Sequence, residues 1–208
     1  MARQHAENAR AHFTLGYVLR YAGWLEDSAR ECDAAFALDA RDPEWRSCMF
    51  TFLRLGRYER ARDYLRLDGN SRWAATAELS ALAYEGKRSE ARALVESRSD
   101  LDSGAWRILR LCLEGRPVAE KDADFSSVMD NLLKIRDSEP KYYWAGMMAF
   151  CGYRGAAFKL LRRSVEENFL ATSMDREPVF AGIRDDPRFS EIRTLAIEKQ
   201  KKLIAQRR

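Results

Sequence analysis

The chain has 208 residues, of which 46% are hydrophobic and 33% charged, with eleven glycines and only five prolines. That balance supports a sizeable core and excludes a disordered chain or a long linker. The net charge of +4 is carried by the stretch from Glu191 to Arg208, which leaves the body neutral and argues against a nucleic-acid-binding face spread across the fold.

The opening MARQHAENAR is polar and lacks the apolar stretch of a secretion signal. The stretches without charge are shorter than a membrane span. A cytoplasmic chain with no membrane association is expected. Cys32, Cys48, Cys112 and Cys151 include no CxxC pair or metal knuckle, and each falls in an apolar helical pattern. They are expected as buried, reduced thiols. Cys32 and Cys48 could still meet where one hairpin packs on the next.

In chain order, residues 4–21 read as a helix, with Phe13, Leu15, Val18, Leu19 and Ala22 at helical spacing. Gly23 allows a turn, and a second helix is predicted from Leu25 to Leu38. Asp42 and Pro43 mark a new start, as a cap and a first-turn residue. The grammar repeats: Trp45 to Leu55, a turn at Gly56, Tyr58 to Leu67; then Trp73 to Tyr84, a turn at Gly86, Ser89 to Glu96. The segments GWLEDSAREC, GRYERARDYL and GKRSEARALV align without a gap, their glycines 33 and then 30 residues apart. Such a period marks a helical-repeat array, whose hairpins bury their apolar stripes by stacking.

The fourth unit is degraded. Ala105 to Leu113 reads as a helix, Gly115 as a turn, and a longer helix is expected from Ala119 to Arg136. A fifth unit follows Ser138-Glu139-Pro140, with helices over Lys141 to Phe150 and Ala156 to Glu167 around Gly152. Beyond Glu167 lie a loop, a short helix and a final helix from Pro187 carrying Phe189, Ile192, Leu195, Ala196 and Leu203. Two parts are expected, an array over 1–167 and a packed cap with a basic tail over 168–208.

These residues resemble the tetratricopeptide repeat, W-x2-L-G-x2-Y then A-x3-F. The first unit has His12-x2-Leu15-Gly16-x2-Leu19, then Ser28-x3-Cys32. The second has Trp45-x2-Cys48-Met49-x2-Phe52, then Ala61-x3-Leu65; the later units keep Ala91-x3-Val95 and Ala157-x3-Leu161. The runs LGYVLRYAGWLEDSAREC, CMFTFLRLGRYERARDYLRLD, YYWAGMMAFCGYRGAAFKLLRRSVEENF and REPVFAGIRDDPRF are also similar to the C-terminal repeat region of some bacterial serine/threonine protein kinases and related signalling proteins. The resemblance implies an all-α, right-handed superhelical solenoid of four or five hairpins with a C-terminal capping helix. It also implies a non-catalytic sensor or docking module. The kinase catalytic-loop, DFG and glycine-rich motifs do not occur in the chain.

Nothing in the sequence assembles a catalytic, cofactor or metal site. His5 and His12 could share a face, but no third ligand lies nearby. By resemblance, the first helices of successive hairpins line a concave groove. Its candidate residues are Arg10, Phe13, Tyr17, Arg20 and Tyr21, then Arg46, Phe50 and Arg54, then Trp73, Thr76 and Tyr84, then Tyr142 and Phe150. Arginines beside aromatics would suit a protein or peptide partner, an acidic or C-terminal peptide among them, because guanidinium forks hold carboxylates and rings bury apolar area. The Lys/Asn carboxylate clamp is not present, since no asparagine occupies these positions. Self-association through the groove is the alternative.

Overall fold

The computed structural model describes residues 7–101 and 104–206. Its helices are α1 (Ala9–Tyr21), α2 (Leu25–Leu38), α3 (Met49–Arg54), α4 (Tyr58–Leu65), α5 (Arg72–Tyr84), α6 (Arg88–Ser97), α7 (Ala105–Leu113), α8 (Ala123–Leu133), α9 (Ser138–Phe150), α10 (Arg154–Glu166) and α11 (Pro187–Ala205). Short 3-10 helices cover Pro43–Cys48, Ser99–Leu101, Met174–Arg176 and Pro178–Ile183. The all-α class follows, with no strand among the described residues. The chain divides into two compact units, Met1–Glu78 and Leu79–Arg208, the division falling within α5.

The expected turns share one backbone device. Gly23, Gly56, Gly86, Gly115 and Gly152 all sit at φ of 70–80°, the left-handed region where a Cβ is unfavourable. Each closes its helix with the same pair of bonds, as in Gly23 N–H to Arg20 O at 3.1 Å and Trp24 N–H to Leu19 O at 2.9 Å. This is a Schellman closure, which satisfies the carbonyls that a helix end leaves without partners. Asn168 repeats it after α10 at φ 73°. The small residues five positions after Gly23, Gly56, Gly86 and Gly152, namely Ser28, Ala61, Ala91 and Ala157, are all buried.

In the first unit α1 and α2 approach closely at Gly16. A Cβ there would stand 3.2 Å from the Ser28 carbonyl oxygen, and the Ser28 hydroxyl donates to the Gly16 carbonyl at 2.7 Å. Trp45 fills the floor, its Nε1–H donating to Asp39 O at 2.8 Å. Phe52 stacks on Tyr64 with ring centroids 5.2 Å apart. Burial first, and then the neighbouring Asp33 carboxylate, pushes the Tyr64 phenol well above its ordinary range, so it stays a donor to Asp33 at 2.9 Å. The helix expected over Trp45 to Leu55 begins as 3-10 and becomes α at Met49.

Two disulfides, Cys32–Cys48 and Cys112–Cys151, overturn the reduced-thiol expectation. Hairpin packing brings α2 against the 3-10 helix of the next hairpin, with Cys32 and Cys48 both inaccessible. Their separation is 16 residues. Converting both to alanine is expected to cost about 3 kcal/mol through loop-closure entropy, measured by denaturant unfolding of the oxidised wild type against the variant.

In the second unit α9 and α10 form a hairpin whose core includes Tyr142, Phe169, Phe180 and Phe189, all buried. The C-terminal residues expected as a cap supply the last three of these. Lys141 is fully buried and bonds Glu167 and the Ile135 carbonyl. Helix α8 is shorter than the expected Ala119–Arg136, and Glu120, which precedes it, serves another helix. Its carboxylate accepts the Gly155 and Ala156 N–H groups at 3.1 and 2.8 Å, capping α10. A Cβ at residue 155 would stand 2.5 Å from that carboxylate, so a larger residue there would displace the Glu120 side chain from its capping position.

Candidate functional site

Helix α1 turns a stripe of rings toward the following hairpin. Phe13, Tyr17 and Tyr21 recur every four residues, which puts them on one face. All three are half-buried. The Phe13 ring lies 4.9 Å from that of Trp45, and Tyr17 stacks on Tyr21 at 4.8 Å with their hydroxyls 2.8 Å apart. One residue beyond Trp45, Arg46 begins a second cluster. Its guanidinium lies 5.0 Å above the Trp73 ring, and Trp73 meets Phe50 edge-on at 5.7 Å. Phe50 and Trp73 are also half-buried. The first unit therefore holds two part-buried aromatic clusters, one on α1 over Trp45 and one on α3 and α5 beside Arg46.

The arginines do not stand where the groove reading puts them. Arg20 is fully buried: it lies 4.8 Å from the Tyr17 ring centre and donates to Thr51 Oγ1 at 3.3 Å. The Ser28 and Thr51 hydroxyls, 2.9 Å apart, complete this internal polar cluster. Arg54 is 6% exposed. Arg20 and Arg54 are therefore core residues and a correction to the groove assignment. Each lies on a helix face that meets another helix. Arg10 and Arg46 reach solvent, but both already face carboxylates, Glu44 at 2.6 Å and Asp68 at 2.8 Å. An incoming carboxylate would have to compete with those pairs.

Tyr84 and Tyr142 are a further correction, both lying in the core of the second unit. The Tyr84 hydroxyl donates to the buried Glu177 carboxylate at 2.6 Å. Tyr142 packs against Phe169 and Phe180 at 4.9 and 5.4 Å. Thr76 turns its hydroxyl back to the Arg72 carbonyl at 3.0 Å, and Phe150 lies under Arg88. Helices α5 and α9 are buried over much of their circumference between Ala74 and Tyr84 and between Ser138 and Met148. A helix of that kind has little free face to offer a ligand.

His12 faces Glu31 at 2.6 Å, and His5 lies outside the described residues. Among the described residues no cluster of three metal-ligating side chains occurs. A shallow cleft in the second unit is lined by Arg107, Ile108, Leu111, Val118, Asp124 and Val128 among others. Its charged pair, Arg107 and Asp124, is 3.8 Å apart and exposed. No described helix is long and apolar enough to cross a membrane. Comparison with known proteins finds no matching family model and no matching curated protein.

Proposed function

We propose that the chain is a non-catalytic protein-interaction module that binds a peptide or partner segment on the aromatic clusters of its first unit. The observation that carries this reading is the set of only part-buried rings Phe13, Tyr17, Tyr21, Phe50 and Trp73, with Trp45 packed against Phe13. Rings held by neighbours lose little entropy on binding and bury large apolar area, which is why such residues dominate interface energies. The solvent-facing cations Arg10 and Arg46 are already matched by carboxylates of the same chain. An apolar or aromatic-bearing segment is therefore the preferred ligand over a purely acidic one.

The tetratricopeptide-like superhelix and the setting of a bacterial signalling protein, such as a serine/threonine kinase, belong to the same proposal. The repeated Schellman closures and buried small residues support the repeat reading. The oxidised cysteine pairs favour an oxidising compartment over the cytoplasm. Self-association is the second reading, favoured by Val18 and Leu38, which are large, apolar and about half exposed.

The test is a pull-down with the wild type and with Tyr17→Ala and Trp73→Ala. Each variant is expected to weaken capture of the same partner by about 2 kcal/mol, as central aromatic contacts do, with the helical circular dichroism spectrum unchanged. Full retention by both would refute the aromatic clusters as the binding surface. Light scattering over a range of concentrations separates the second reading, which requires mass to rise with concentration.

A further inference from the structure

We infer that the Cys112–Cys151 disulfide is a reducible switch, poised by Arg88, whereas Cys32–Cys48 is a permanent cross-link. The two bonds have different surroundings. Cys32 and Cys48 are both 0% exposed. Cys112 is 3% exposed, and Cys151, at the end of α9, is only half-buried, so of the four bonded cysteines it is the one nearest solvent. Arg88, exposed at the start of α6, donates from one guanidinium nitrogen to Cys112 Sγ at 3.4 Å and to the Cys112 carbonyl at 3.2 Å. Its other terminal nitrogen donates to the Phe150 carbonyl at 3.2 Å. A cation thus rests against one sulfur of the bond and clasps both helix ends that the bond joins.

That asymmetry fixes the direction of exchange. The thiolate of a small-molecule thiol attacks Cys151 Sγ, on the less buried residue of the pair. The S–S bond breaks and its electron pair leaves on Cys112, where the guanidinium stabilises the thiolate. A second thiolate attacks the reductant's sulfur in the mixed disulfide and releases Cys151. In sum two small thiols become one small disulfide, and the protein bond becomes two thiols. A leaving thiolate beside a cation leaves faster, because stabilising the anion lowers its proton affinity.

The bond ties α7 to the end of α9 across 39 residues, with α8 in the intervening loop. Its reduction removes a covalent constraint on α8 and leaves Arg88 as the remaining clasp. Oxidation state then controls how firmly the α7–α8 segment is held.

The experiment exposes the full chain to reduced glutathione near neutral pH, traps released thiols with iodoacetamide and locates them by peptide mass spectrometry. Cys112 and Cys151 are expected to be released about tenfold faster than Cys32 and Cys48, and Arg88→Gln is expected to slow their release about threefold or more. Equal rates for the two bonds would overturn the inference. So would release that is unchanged or faster in Arg88→Gln, since loss of a merely structural clasp accelerates access. In the reduced protein, Cys112 alkylation in Arg88→Gln should need higher pH than in wild type; coincident pH profiles would remove Arg88 from the mechanism. Amide exchange in α8 should quicken on reduction, and unchanged exchange would show that the bond is not a switch.

Discussion

Trp45→Ala is expected to destabilise the first unit by about 3–5 kcal/mol, the range for removing a large ring from a packed core. The indole is 2% exposed, so its loss leaves a cavity rather than a solvated gap. It also removes the donor that the Asp39 carbonyl accepts and the ring against which Phe13 rests. Denaturant unfolding monitored by helical circular dichroism measures the loss. Trp73→Ala provides the contrast. Trp73 is half-buried, so stability should fall much less while partner binding falls more. A Trp45→Ala variant as stable as Trp73→Ala would mean that the floor under Phe13 collapses without cost, and that Trp45 is not what holds that ring in place.

Glu167→Ala is expected to cost about 3 kcal/mol, because removing one partner of a buried ion pair leaves the other charge without compensation. The Lys141 side chain is 0% exposed, while that of Glu167 is 26% exposed and also bonds Arg163 at 2.6 Å. The figure lies at the low end of its range because solvent reaches Glu167. The pairing of Lys141→Met with Glu167→Ala should recover a measurable part of the loss, since the double variant no longer buries a cation. A double variant less stable than Glu167→Ala alone would show that the ammonium is held by the Ile135 and Asp137 carbonyls rather than by the carboxylate.

The hairpins are legible in the sequence because their signals are local. A glycine after an apolar stripe needs only the helix behind it to form a Schellman closure. The depth of the arginines is not legible, because periodicity gives a face and not how far it lies from solvent. Arg20 shares the stripe of Phe13 and Tyr17, and only the third dimension shows that this part of the stripe lies over Thr51. A signal exists in Ser28 and Thr51, hydroxyls among otherwise apolar residues on the buried faces of α2 and α3 and hence candidates for an internal polar partner. Tyr84 and Tyr142 escape the groove pattern because α5 and α9 are covered on several sides, which no two-sided helical pattern can register. The disulfides are hidden for another reason: bonds between neighbouring hairpins have no characteristic spacing. The Glu120 cap is equally silent, since an acidic residue in a loop does not reveal which distant helix end it will find.

The Schellman closures have a kinetic consequence. Each is completed within six residues, so every turn can form before any distant segment arrives. Chains whose contacts are mostly local fold on the order of microseconds to milliseconds, because little loop entropy is lost ahead of the stabilising contacts. The hairpins should therefore zip independently and then associate. The slow event in refolding from the reduced, unfolded chain becomes covalent: the pairing of four cysteines, in which Cys32 need find only the next hairpin while Cys112 must wait for a helix two elements away.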